Sequence, residues 1–189
     1  MKSILVFTGS NSSNSVNRIL LELAMSKVHS LNTTGIDLRN FPVPMYSMDI
    51  EEETGIPSEV KRLKKLFTQH DGFMISSPEH NGMIPAFFKN IMDWLSRTEG
   101  KIFQQKPVML MSTSPGPRGG VTNLGNMEKV FPHWGASAVF ADFSLGSFYQ
   151  NFDMETGTLI NPEDDQRLIA AVHAFEAHFQ AEHSQPELI

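Results

Sequence analysis

Apolar residues recur along this chain with two alternating periods. Ser3–Thr8 contains Ile4-Leu5-Val6-Phe7, apolar on both faces, as a strand covered from two sides must be. Ser15–His29 switches to helical spacing, with Val16, Ile19, Leu20, Leu23 and Ala24 on one stripe and an N-cap at Asn14 or Ser15. Thr33–Leu38 reads as a weaker strand. Ser58 is expected to cap a second helix, with Val60, Leu63, Leu66 and Phe67 on one face. Gly72–Ser76 is a short buried strand, and Ile84–Ser96 is a helix with Phe87, Phe88, Ile91 and Leu95 inward. Pro107–Ser112 is the clearest strand, followed by a helix at Val121–Phe131 and a strand at Ala136–Phe140. Asn161 and Pro162 open a closing helix that runs to Gln180. Only Phe41–Pro57, rich in proline and acid, breaks the rhythm; it reads as a long loop, functional or mobile.

Strands that alternate with helices and are apolar on both faces imply a parallel sheet buried between helical layers. Five such strands predict a doubly wound, three-layer α/β domain, in which ligands bind beyond the carboxyl ends of the strands. The 189 residues suffice for one core, and no repeat or linker divides them, so residues 1–189 are expected to form a single domain. The absence of cysteine excludes disulfides, thiolate nucleophiles and thiolate-bound zinc. A net charge of −6 argues against a nucleic-acid partner. Lys61-Arg62 and Lys64-Lys65, the one basic cluster, read as the solvated face of a helix. No apolar run is of bilayer length and the N-terminal one is too short for a signal peptide, so no membrane association and a cytoplasmic location are expected.

The topology directs attention to the segments after the first, third and fourth strands. The first, Thr8 to Asn17, holds serines and asparagines with no acid and no base. Its hydroxyls and the helix N-terminus could hold a terminal monophosphate, although the same composition also makes a plain polar turn. Neither a Walker loop nor a Gly-x-Gly-x-x-Gly turn is present. The second, Ser76 to Pro85, is stiffened by two prolines, while Gly82 permits a positive φ or close approach of a flat ring. The third, Ser112 to Gly120, is rich in glycine and proline and could approach a planar ligand or be a surface turn. Convergence of all three on one sheet edge favours a site.

Other features have plainer readings. Trp94 reads as core, and Lys89 and Asp93 as an i,i+4 pair. His29, His70, His133, His173, His178 and His183 lie outside the three loops, and His173 and His178 are spaced poorly for chelation, so no metal is expected. No Gly-x-Ser-x-Gly elbow surrounds Ser112 or Ser114. Asp49-Ile50-Glu51-Glu52-Glu53 reads as a solvated acidic run.

In these residues the chain resembles the NADPH-dependent FMN reductase family, a flavodoxin-like group that includes azobenzene, chromate and quinone reductases. The resemblance rests on Gly9-Ser10 with Ser15 and Asn17, and on Ser77-Pro78-Glu79-His80-Asn81 with Pro85, Lys89, Asn90, Asp93 and Trp94. Ser112-x-Ser114-x-Gly116-x-x-Gly119-Gly120 and the proline-bearing Pro42–Pro57 segment add to it; it thins after Gly146. It implies a flavodoxin-like α/β/α sandwich and an FMN phosphate held by Ser10, Ser12, Ser15, Val16 and Asn17. It also implies ring contacts from Pro78, Glu79, His80, Asn81 and Gly82, supported by Ser114 and Gly116. The implied activity is hydride transfer from NADPH or NADH through FMN to a quinone, azo compound, metal ion or free flavin, by a homodimer or homotetramer. The flavin carries that chemistry, so no catalytic side chain is assigned. Ser12 stands where the family usually has arginine, which makes NADH a competitor of NADPH. His80 stands where it usually has tyrosine, which would lower flavin affinity and make it pH-sensitive. The rival readings are a flavodoxin-type electron carrier and a cofactor-free interaction module.

Overall fold

The computed structural model describes residues 1–182; His183 lies outside them. Five parallel strands form one sheet in the order β2-β1-β3-β4-β5. In chain order these are β1 (Ser3–Thr8), α1 (Val16–Ser26), β2 (Asn32–Gly35), α2 (Met48–Thr54), α3 (Ser58–Gln69), β3 (Gly72–Ser76), α4 (Ala86–Leu95), β4 (Lys106–Thr113), α5 (Val121–Val130) and β5 (Ala136–Leu145). A short helix α6 (Phe148–Asn151), a hairpin of β6 (Phe152–Asp153) and β7 (Thr158–Leu159), and α7 (Pro162–Glu182) follow.

The two-faced strands do what their composition requires. Ile4, Val6, Met74, Met109 and Met111 pack with α1 and α7, whereas Leu5, Phe7, Phe73, Ile75, Val108 and Leu110 pack with α3, α4 and α5. Parallel register sets Thr8 level with Ser76 and Ser76 level with Met111, so the segments leaving β1, β3 and β4 start side by side.

The structure differs from the sequence reading in several elements. Phe41–Pro57 is not all loop: it contains α2, whose N-cap Ser47 accepts from the Ile50 N–H. The helix buries no residue, which is why no apolar period betrays it. Ile50 rests part-buried against the core, and polar contacts fasten the helix further. Arg97 donates to Glu51 at 2.8 Å, the Tyr46 hydroxyl donates to Glu51 at 3.0 Å, and Trp94 Nε1 and Asn90 Nδ2 donate to the Pro44 carbonyl. Trp94 is fully buried, as expected of core. Ser58 lies inside α3, where Pro57 takes the cap position and the Ser58 hydroxyl turns to Glu59. The second strand ends at Gly35, because Asp37 caps a single helical turn at Leu38–Asn40. β5 runs on to Leu145.

At the opposite end of the sheet from the three loops, Glu176 of α7 holds the turn between α1 and β2. Its buried carboxylate accepts from the His29 N–H at 2.9 Å, the Ser30 N–H at 2.6 Å and the Ser30 hydroxyl at 2.8 Å. Burial pushes this carboxyl up, but the Ser30 and His29 donors and the nearby His173 outweigh it and hold its pKa below the ordinary value. Ionisation therefore stabilises the fold above the usual carboxylate range, and that stability is lost as pH falls through the lowered folded value. Glu176→Gln is expected to destabilise by about 1–3 kcal/mol at pH 7, read from urea unfolding midpoints, and to converge with wild type in acid. A gap that persists unchanged to the lowest pH would show that the charge is not what matters.

Candidate functional site

Loop 1, between β1 and α1, is shaped by its own hydroxyls. Ser10 N–H donates to Thr8 Oγ1, Ser12 N–H to Ser10 Oγ and Asn14 N–H to Ser12 Oγ, at 3.2–3.3 Å. Ser15 caps α1 by accepting from the Arg18 N–H at 3.4 Å. Ser10, Ser12 and Ser15 thus serve the loop as acceptors, and each hydroxyl proton remains to be donated outward. The N–H groups of Val16 and Asn17, first in the helix, have no partner among the described residues. Two free donors and the positive end of the helix dipole face a loop that holds no acid.

The Asn17 side chain does something the sequence reading missed. Its Oδ1 accepts from the Thr113 N–H at 3.0 Å and the Ser76 hydroxyl at 2.9 Å, while Nδ2 donates to the Thr113 carbonyl at 2.9 Å. One buried amide therefore joins the ends of β3 and β4 to the first turn of α1. With the Gly9 N–H donating to the Ser76 carbonyl and the Ser112 hydroxyl to the Ser77 carbonyl, the three strand ends form one bonded unit. Gly9 has no room for a side chain, since a Cβ there would lie 2.8 Å from Phe88 Cδ1.

In loop 2, His80 and Met83 exchange both backbone hydrogen bonds around Asn81 and Gly82, whose φ values are 53° and 78°. Positive φ at both central residues defines a type I′ turn, the turn that Asn-Gly favours. Loop 2 is moored to α5. Asn126 Nδ2 donates to the Gly82 carbonyl and Asn123 Nδ2 to the Pro78 carbonyl, both at 2.9 Å. The Glu79 carboxylate accepts from the Asn123 N–H at 2.9 Å, so it faces the start of α5 and complements that helix's dipole. His80 and Asn81 are exposed, and Pro78 and Gly82 are partly so.

Loop 3 is held by the segment after β5. The Ser147 N–H donates to the Gly116 carbonyl at 2.8 Å and the Phe148 N–H to the Ser114 carbonyl at 3.0 Å. Ser114 Oγ donates to the Gly116 carbonyl at 3.1 Å, and a Cβ at Gly116 would meet only that hydroxyl, at 3.8 Å. Gly116 and Gly82 thus leave open surface beside their backbones. All the residues expected from the sequence to contact the cofactor lie on these three loops or on the first turn of α1, and the bonds above bring the loops together at one sheet edge.

A five-stranded parallel sheet between helical layers is a flavodoxin-like scaffold, and the anion-ready helix start and backbone-rich loops at its carboxyl edge make that edge the candidate cofactor site. The chain belongs to the NADPH-dependent FMN reductase family, whose model matches residues 2–150. It is an FMN-dependent oxidoreductase that uses NAD(P)H. A quinone reductase of Escherichia coli is 30% identical over 139 residues, covering 73% of this chain and 74% of that one. An NADPH:quinone oxidoreductase of Arabidopsis thaliana is 28% identical over 176 residues, covering 86% and 84%. Among solved structures, the flavoenzyme NAD(P)H:acceptor oxidoreductase FerB of Paracoccus denitrificans superposes with a TM-score of 0.77 at 24% identity, covering 93% and 95%.

Proposed function

We propose that the joined strand ends bind FMN with its phosphate at loop 1 and its ring at loops 2 and 3, and that the acceptor is a small quinone or azo compound. The observation that carries the reading is the pair of unpartnered N–H groups at Val16 and Asn17, beside a loop free of acid. With the outward hydroxyl protons of Ser10, Ser12 and Ser15, they make a phosphate cradle that needs no basic side chain. The backbone of Pro78 to Gly82 is fixed by the type I′ turn and by α5, so its polar groups can read a ring edge with little reorganisation. Ser114 and Gly116 flank the ring. Bound FMN supplies the hydride chemistry. The chain's part is to hold and orient, and the Glu79 carboxylate, turned to α5, acts as a positioning group. The quinone reductase of Escherichia coli and the NADPH azoreductase of a Bacillus strain support the acceptor class. The reading includes one domain over residues 1–189, a cytoplasmic location and a homodimer or homotetramer.

Val16→Pro tests the cradle with little disturbance of the fold. Proline suits the first helical position, and Ser15, at φ −75° and ψ 115°, already has the extended backbone that precedes proline. The substitution deletes one phosphate donor, so FMN affinity measured by fluorescence quenching is expected to fall about tenfold while circular dichroism stays native. Equal affinity in the two proteins would remove the phosphate from loop 1. Direct bleaching of the wild-type flavin by NADH or NADPH, without air, is also expected; a flavin that only a partner reductase can bleach would make the protein a carrier.

A further inference from the structure

Arg18 follows the cradle by one residue and is poorly satisfied. Its Nη2 is buried and makes no hydrogen bond. The nearest acid, Asp37, lies 3.5 Å away and is already held by Arg39, whose Nε and Nη2 donate to it at 2.6–3.0 Å. Arg18 lies between two cavities of about 300 Å³ each: one, on the Asp37 side that its Nη2 faces, is walled with Glu22 and Asp37, and the other, beside loop 1, with Ser13, Ser15, Ile19, Tyr149 and Met154. No acidic side chain lines this second cavity, so Arg18 is its one formal charge. Tyr149, 62% exposed, offers a ring face, and Met154 and Ile19 add apolar surface. Tyr149 is brought there by α6, whose first turn is tied to loop 3 through Ser147 and Phe148. A volume at the low end of ligand pockets suits one ring with its substituents rather than a whole dinucleotide.

We propose that this cavity receives the adenosine end of the nicotinamide co-substrate, with Tyr149 stacked on the base and Arg18 paired with the 2′-phosphate that separates NADPH from NADH. The proposal rests on the reading above that places FMN at loop 1, next door. Guanidinium suits phosphate because its fork of donors matches two oxygens at once, and aromatic faces hold heterocyclic bases. Arg18 can turn from Asp37 to the phosphate without stranding the acid, because Arg39 stays.

The test is titration calorimetry of the FMN-loaded protein with 2′,5′-ADP and with 5′-ADP. Wild type is expected to bind the 2′-phosphorylated probe about tenfold tighter or more. Arg18→Gln should erase that difference, and Tyr149→Ala should weaken both probes. FMN affinity should be unaltered in both variants. In turnover, Arg18→Gln should lower the NADPH-to-NADH ratio of kcat/KM by about ten- to a hundredfold, through KM. A preference that survives Arg18→Gln, failure of both probes to bind, or a loss of FMN affinity in its place would overturn the proposal. If the probes fail while NADPH still bleaches the flavin, only this subsite falls. If the preference behaves as stated but neither coenzyme bleaches the flavin, the subsite stands and the parent reading falls.

Discussion

Asn17→Leu is expected to lower the thermal unfolding midpoint by roughly 10 °C and to abolish FMN uptake, as seen by differential scanning calorimetry and fluorescence. Leucine is close in size but cannot bond. It would leave the Thr113 N–H, the Thr113 carbonyl and the Ser76 hydroxyl unpaired where each now has an Asn17 partner at 2.9–3.0 Å. Unsatisfied buried groups cost about 1–3 kcal/mol apiece, and some relaxation brings the total to about 3–4 kcal/mol. Ser76→Ala removes a single bond of the set and should cost only about 1 kcal/mol. If the two variants prove equally mild, the amide is not what joins the strand ends.

Gly120→Ala should be nearly as damaging, at about 3 kcal/mol in urea unfolding. Gly120 has φ 78°, a conformation that costs an L residue about 1–2 kcal/mol. A Cβ there would also overlap Ser112 Oγ, whose buried hydrogen bond to the Ser77 carbonyl would then break. That adds a loss of about 1–3 kcal/mol. Gly125 lies within α5, and a Cβ there would meet nothing within 4 Å, so Gly125→Ala should stabilise by about 0.5–1 kcal/mol. The opposite signs separate a glycine demanded by its surroundings from one that is merely tolerated.

Which features were legible in the sequence follows from what each is made of. The sheet and its main helices were visible because burial on two faces leaves strands such as Phe73–Ile75 apolar throughout, and burial on one face leaves α3 its stripe of Val60, Leu63 and Phe67. α2 was hidden because it buries no residue fully, with Ile50 alone of its side chains resting part-buried on the core and Glu51 bonded to Arg97 and Tyr46; Ser47 followed by acids was its only local signal. The hairpin of β6 and β7, with two residues on each side, is too short for any period to show.

The strand-end loops were found from topology and composition together, but the division of labour within them was not. Asn17 and Glu79 suit ligand contacts by sequence alone, yet both direct their side chains to the protein, toward partners, Thr113 and Asn123, too far along the chain for any local pattern to reveal. Asn81-Gly82 did carry a local signature, the dipeptide of a type I′ turn. Arg18 and Tyr149 carried none; their proximity comes from the way α6 returns after β5.

The margins of the sheet bear on how copies of this protein could adhere. One margin, β2, has only four residues and ends at Gly35, a poor template for an incoming chain. The other, β5, slips register against β4 at Lys106/Val108 and again at Met109/Met111, and carries the exposed charge of Asp142. Such irregular, charged borders resist strand addition and the runaway stacking that leads to fibrils. An ordered assembly of this chain is therefore expected to meet through helical flanks and loops rather than through the margins of its five-stranded sheet.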